Sequence, residues 1–373
     1  MNIGVPVRRM LNPLNPLNPF DWKEDVSPVG TQMLGVPTLP DSFMIKCSHQ
    51  RKDCISEVDV FLAAQGFIGV PRIITQYEPA AFEIPESKCP VLWKLHDELT
   101  EGLPSYKPRV HRHLIFESEG VRLSPRLTFR QVGYAMVHAM IGHCALFTEG
   151  KILHHDVSHE NIIFLTGLSR SDRKIPSILS NVVSRNDCSA VLIDGDVAKK
   201  WRDNCPNSSD RSGTLPFLSR ALTTTWVVRG SVLHTPIDDL ESFILVLYYN
   251  ALSWTSADQR TANEIVDWGC LNKQDLLTLS SVKQSIFLTW KDEAVESNLI
   301  VSDTVFGFYP LISAWTKEIH PIVQTAERFV RANQAPNEFE QLLEDAYVKM
   351  IRVGLDAAAK LADVVIDPDF TDV

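Results

Sequence analysis

Apolar positions follow two different rhythms along the chain, and the change between them divides it. Up to about residue 117 they come mostly in short runs. "SFMIKC" (42–47) and "HLIFE" (113–117) are flanked by turn-forming residues, which predicts strands. Between them, Ile55, Val58, Phe61 and Leu62 are spaced as on one face of a helix that stops at Gly66. From Thr128 the rhythm is helical. A long segment begins on threonine, ends on Gly150 and carries a stripe of Val132, Ala135, Met136, Ala139 and Met140, which predicts a capped helix with one core-facing side. Residues 238–252, 280–290, 306–323 and 337–362 predict further helices, the last starting at Asn337 just after Pro336. Two short apolar runs, 161–165 and 190–194, predict strands within this helical part. The polar, turn-rich residues 166–188 between them read as a surface insertion. His138 and His143, on the long helix, read as ordinary core-edge residues.

Composition narrows the classes. With 45% hydrophobic residues, the 373-residue chain can bury a full core in two domains or two lobes. The balance of 36 basic against 46 acidic residues, a formal charge of −10, argues against a nucleic-acid partner. The run Phe243–Tyr249 is too short to span a bilayer, and the N-terminus lacks the apolar stretch of a secretory signal. The seven cysteines are scattered and include no C-x-x-C pair, which suits reduced thiols in the cytoplasm or nucleus. Prolines at 13, 16 and 19 predict a disordered leader over 1–28.

The chemistry concentrates in "ILHHDVSHENIIF" (152–164). Asp156 and Asn161 stand five apart before a predicted strand, and Asp194 ends the next one, followed by Gly195. Phosphoryl transfer needs a carboxylate to accept the proton of the attacking hydroxyl, and oxygen ligands for a Mg²⁺ ion beside the nucleotide phosphates. Asp156 suits the first task, and Asn161 with Asp194 the second. A capped turn before a strand would use the same residue types. Zinc on His155 and His159 is the poorer reading, because His159 lacks the preceding helical pattern that H-E-x-x-H needs.

These residues carry a resemblance. His154-His155-Asp156…Asn161 resembles the protein-kinase catalytic loop H-R-D-L-x-x-x-N, and Asp194-Gly195-Asp196 stands at D-F-G. Together with "RSGTLPFLSRAL" (211–222) and "HTPIDDLESFILVLYY" (234–249), in this order, the chain resembles the fungal-type protein kinases over roughly residues 40–300. The resemblance implies an α+β, bilobal, protein-kinase-like fold. Its small strand-rich N-lobe would cover 29–117, its larger, mainly helical C-lobe 118–365 and a tail 366–373. It implies ATP and Mg²⁺ as cofactors, and a protein carrying a Ser/Thr hydroxyl as substrate. Lys46 then resembles the lysine that pairs with the α- and β-phosphates, held by Glu57. Residues 114–117, ending on Phe116 and Glu117, lead into the hinge that meets adenine through backbone groups. Asp156 is the base, Asn161 and Asp194 are the metal ligands, and Thr214 ties the activation segment to the catalytic loop. His154 and Asp239 support that loop, although Asp239 also suits a helix N-cap.

The departures are specific. Ser158 stands where ordinary Ser/Thr kinases have lysine, His155 replaces arginine, Gly195 replaces phenylalanine and Ala221 replaces the glutamate of A-P-E. Gly30 and Gly35 keep only the outer spacing of a glycine-rich loop, with Gln32 in the middle, and read as a turn. Two rivals therefore stand beside the protein kinase: a pseudokinase that binds partners or nucleotide without turnover, and a small-molecule phosphotransferase on the same scaffold.

Overall fold

The computed structural model describes residues 43–51, 54–77, 109–117, 120–166, 172–184, 187–201, 213–228, 233–254, 273–291, 303–332, 336–368 and 370. The leader 1–28, Gly30, Gly35 and residues 369 and 371–373 of the expected tail lie outside the described residues.

The N-terminal region holds strand β1 (Met44–Arg51), helix α1 (Glu57–Leu62), β2 (Ile73–Tyr77) and β3 (Arg109–Phe116). The three strands form an antiparallel sheet in the order β1-β3-β2, with Lys46 opposite Leu114. Period-two alternation buries Met44, Lys46, Ser48 and Gln50 on one face of β1. That face fixes α1. The Gln50 side chain donates to Ile55 O at 2.6 Å and accepts from Glu57 N at 3.0 Å. It thereby satisfies an N-terminal amide that Ser56, at the cap position, leaves without a side-chain bond.

The helical region begins with β4 (Gly120–Arg122) and α2 (Phe129–Thr148). The short strands β5 (Ile152–Leu153), β6 (Ile162–Leu165), β7 (Ala190–Leu192) and β8 (Lys199–Lys200) follow. Then come α3 (Arg220–Val228), α4 (Pro236–Ser253), α5 (Lys273–Lys291), α6 (Asp303–Gly307), α7 (Tyr309–Ala332) and α8 (Pro336–Ala358). Strands β4-β6-β7 form one antiparallel sheet and β5-β8 a second. This small strand-containing region followed by a helical one is the α+β, kinase-like fold.

Helix α2 starts as its sequence predicts. Thr128 and Gln131 exchange side-chain-to-backbone bonds in a capping box. Its burial is wider than the predicted stripe, since every residue from Val132 to Phe147 except Tyr134 is buried. Strands β6 and β7, and helices α4 and α8, surround it. Each large apolar side chain enclosed there stabilises the fold by about 1.5–3 kcal/mol. The close approach has a backbone cause: Gly69, at φ +78°, faces Gly142, and a Cβ on Gly142 would lie 2.1 Å from Gly69 O.

Two expectations are corrected. The described part of 166–188 does not lie wholly on the surface. Leu179 and Cys188 are fully buried, and the Arg173 guanidinium, itself buried, donates to Val70 O at 2.9 Å. Lys174 bridges to Phe67 beside it. An irregular, polar-looking stretch hides burial because its apolar residues follow no period and its arginine is spent on a carbonyl. The last helix starts at Pro336, one residue before the predicted Asn337; proline suits a first helical position, where its missing N–H has no partner to lose.

Candidate active site

Lys46 is the centre of a buried ionic cluster. Its ammonium lies 2.7 and 2.8 Å from the two carboxylate oxygens of Glu57, 2.8 Å from Asp194 Oδ1 and 3.8 Å from Asp196 Oδ1. Three elements meet here: β1, α1 and the loop after β7. The Glu57 carboxylate also accepts from Gly195 N at 3.0 Å, so α1 holds the loop directly. Burial works against the Lys46 charge, but Glu57, Asp194 and Asp196 outweigh it and hold its pKa above the usual lysine value. One cation does not balance three anions. Burial and the neighbouring aspartates push Glu57 up to about 7, against the pull of Lys46. Asp194 itself adopts φ +70°, a left-handed conformation costly for a residue with a Cβ.

The segment 154–161 lies between this cluster and α4. His154 Nε2 is 3.0 Å from Ile193 O, and its Nδ1 accepts from Asp156 N at 3.4 Å. The ring is therefore neutral, with its proton on Nε2, and burial beside His143 lowers its pKa to about 4. It links the backbone that carries Asp156 to the backbone that carries Asp194. Asp156 Oδ1 accepts from both Thr214 N at 2.8 Å and Thr214 Oγ1 at 2.7 Å. Burial raises the Asp156 pKa; the Thr214 bonds oppose this and the nearby Asp194 charge adds to it. Asn161 Nδ2 donates to Asp156 O at 2.9 Å, while its Oδ1 is buried and has no hydrogen-bond partner among the described residues. Ser158 is buried and precedes the 3₁₀ turn His159–Asn161, where its side chain makes no capping bond.

Below the loop, Asp239 is enclosed in α4 and accepts from three donors: His143 Nε2 at 2.8 Å, His155 N at 3.1 Å and His234 Nε2 at 2.7 Å. Burial favours its neutral form, but His234 and His143 outweigh that and hold its pKa well below the usual carboxylate range. It is not the N-cap of α4. Thr235 takes that place, in a capping box with Asp238.

Residues 40–251 match the family model of the fungal protein kinases. The chain belongs to the fungal protein kinase family. No curated protein matches it.

The other motif residues of this family member are placed as follows. Phe116 is buried in the core with its ring 6.3 Å from that of Phe61. Glu117 is committed to Arg72, donating its N–H to Arg72 O at 2.9 Å and pairing its carboxylate with the guanidinium at 3.3 Å. Where Gly195 lacks a ring, Val60 fills the space: a Cβ on Gly195 would lie 3.0 Å from Val60 Cγ1. Beside Ala221, Arg220 pairs with buried Glu241 at 2.7 Å and lays its guanidinium 4.0 Å above the Phe287 ring. His155, at the motif's arginine position, packs its ring 4.2 Å from that of His234.

Sequence reasoning missed three contributors. His143 is fully buried in the Asp239 network rather than at a core edge, and His234 joins it. Asp196 joins Glu57 and Asp194 in the only cluster of potential metal ligands among the described residues, its ligand atoms within 4.8 Å of one another. The repeated aspartate in "DGD" was the available signal for the last, and the motif that opens on His234 was one for that residue; nothing local marks His143.

Proposed function

We propose that this chain is an ATP-dependent protein kinase that transfers the γ-phosphoryl group of Mg·ATP to Ser/Thr hydroxyls of a protein. The observation that carries the reading is the buried contact of Lys46 with both Glu57 and Asp194. It brings a cation for nucleotide phosphates to the carboxylate of the D-G-D motif, from positions 148 apart in the chain. The residues also fit a hard divalent cation. The cluster keeps more negative than positive charge, and Asn161 offers a buried carbonyl oxygen with no other partner among the described residues. Asn161 and Asp194 would hold the ion, which when bound neutralises phosphate charge. The protein residues divide the remaining work. Lys46 orients the phosphates, Thr214 aims the Asp156 carboxylate, and Asp156 accepts the proton of the substrate hydroxyl as the new P–O bond forms. Its raised pKa favours that acceptance.

The test is incubation of the purified chain with labelled Mg·ATP and generic protein substrates, alongside Asp156→Ala and Asp194→Ala. Incorporation by the wild type and a loss of at least about a hundredfold in both variants is the expected result. Nucleotide binding without transfer would favour the pseudokinase, and transfer only to small hydroxyl compounds would favour the third reading.

A further inference from the structure

The Asp239 network does not end at the histidines. His143 Nδ1 lies 2.7 Å from the hydroxyl of Tyr347, a fully buried residue of α8 that is 204 positions away in the chain. The Asp239 end of this line is fixed by chemistry. Asp239, held ionised, only accepts, so His143 Nε2 carries the ring proton and donates to it. His143 Nδ1 is then the ring atom left to meet the Tyr347 hydroxyl. Burial pushes the Tyr347 pKa well up, so that proton stays in place. The same Oδ2 of Asp239 that meets His143 also accepts from His155 N. His155 stands at φ +68°, a conformation uncommon for a residue with a Cβ, and Asp156 is the next residue.

We propose that Tyr347 and His143 are positioning residues for the catalytic loop. They fix the Asp239 carboxylate, the carboxylate holds His155 in its left-handed conformation, and Asp156 is thereby aimed. Helix α8, beyond the family-matched residues 40–251, becomes a working part of the site. The role in transfer rests on the kinase reading above; the hold on the loop rests on geometry alone.

The test compares the full chain with Tyr347→Phe and with Trp315→Phe. Trp315 is equally buried and donates to Met350 O at 2.9 Å, so its loss also weakens the seat of α8, without touching the Asp239 network. In Tyr347→Phe, kcat is expected to fall about ten- to a hundredfold with the KM for ATP unchanged, because a small misplacement of a reacting group costs rate rather than binding. Amide exchange of the peptide 154–161 is expected to accelerate in the same variant. Trp315→Phe is expected to lower Tm while leaving kcat and that exchange at wild-type values. Equal kcat losses in both variants, or unchanged loop exchange in Tyr347→Phe, would overturn the proposal. Should the wild type transfer nothing, the kinase reading fails and the exchange comparison alone decides whether α8 holds the loop. If Tyr347→Phe does not fold, the wild-type ring decides: nitrogen NMR must find the His143 proton on Nε2, and a proton on Nδ1 with a bare Nε2 refutes the assignment.

Discussion

Lys46 carries one positive charge among three carboxylates, and the surplus has a pH signature. A carboxyl whose pKa is higher in the folded chain keeps its proton there after the unfolded chain has lost it. Glu57, raised from 4.5 to about 7, therefore makes the protein less stable as pH climbs between those values, with the effect levelling off above. A divalent cation relieves the same surplus and competes with that proton. Mg²⁺ alone is expected to raise Tm, and by more at pH 8 than at pH 6. Glu57→Gln should shrink that difference. Scanning calorimetry at both pH values checks this, and an equal Mg²⁺ increment at each would refute the charge-surplus account.

At the scale of elements, α1 sits where it does because Gly195 lets it. Val60 Cγ1 and Cβ would lie 3.0 and 3.3 Å from a Cβ at position 195, with Glu57 Cγ at 3.5 Å. Gly195→Ala should push on α1 and cost about 1–3 kcal/mol of stability by overpacking. The same change in a Val60→Ala background should cost less, with a coupling of about 1 kcal/mol read from denaturant unfolding of the double-mutant cycle. Strict additivity would mean that α1 and the loop do not press on each other. Legibility divides along the same line. The long helices could be read because period and caps are local properties of a chain, and Asp156, Asn161 and Asp194 stood out by motif spacing, whereas Lys46, Glu57, Thr214 and Asp239 were singled out through the family resemblance. The seating of Val60 against Gly195, the Gln50 hold on Glu57 and the Tyr347–His143 contact could not. Each joins residues whose separation in sequence carries no pattern. The buried part of 166–188 escaped notice because apolar residues without a period look like a loop.

For the whole molecule, the family-matched residues are an incomplete body. Helices α2 and α4 lie within 40–251 almost entirely, yet much of what covers them comes later. Trp315, Ile319, Tyr347, Met350 and Ile351 are buried in the same cluster as Val137, Met140, Phe147 and Phe243. Helix α5 reaches back as well: the buried Lys283 ammonium donates to Leu215 O, Leu218 O and Thr223 Oγ1, gripping the segment that follows Thr214. Burial pushes the Lys283 pKa down to about 7 despite the opposing Glu241 charge, so this grip is made by a cation enclosed at a cost. A chain ending after Ser253 loses all of these contacts and bares the faces of two central helices. Such a fragment is expected to keep helical far-ultraviolet circular dichroism, lose its near-ultraviolet signal, bind a hydrophobic dye and unfold without a sharp transition. Cooperative unfolding of the fragment, with a wild-type near-ultraviolet spectrum, would show that the later helices decorate a self-sufficient core. The full-length packing says instead that they complete it, since a core of this kind is stable only by a small margin between large opposing terms.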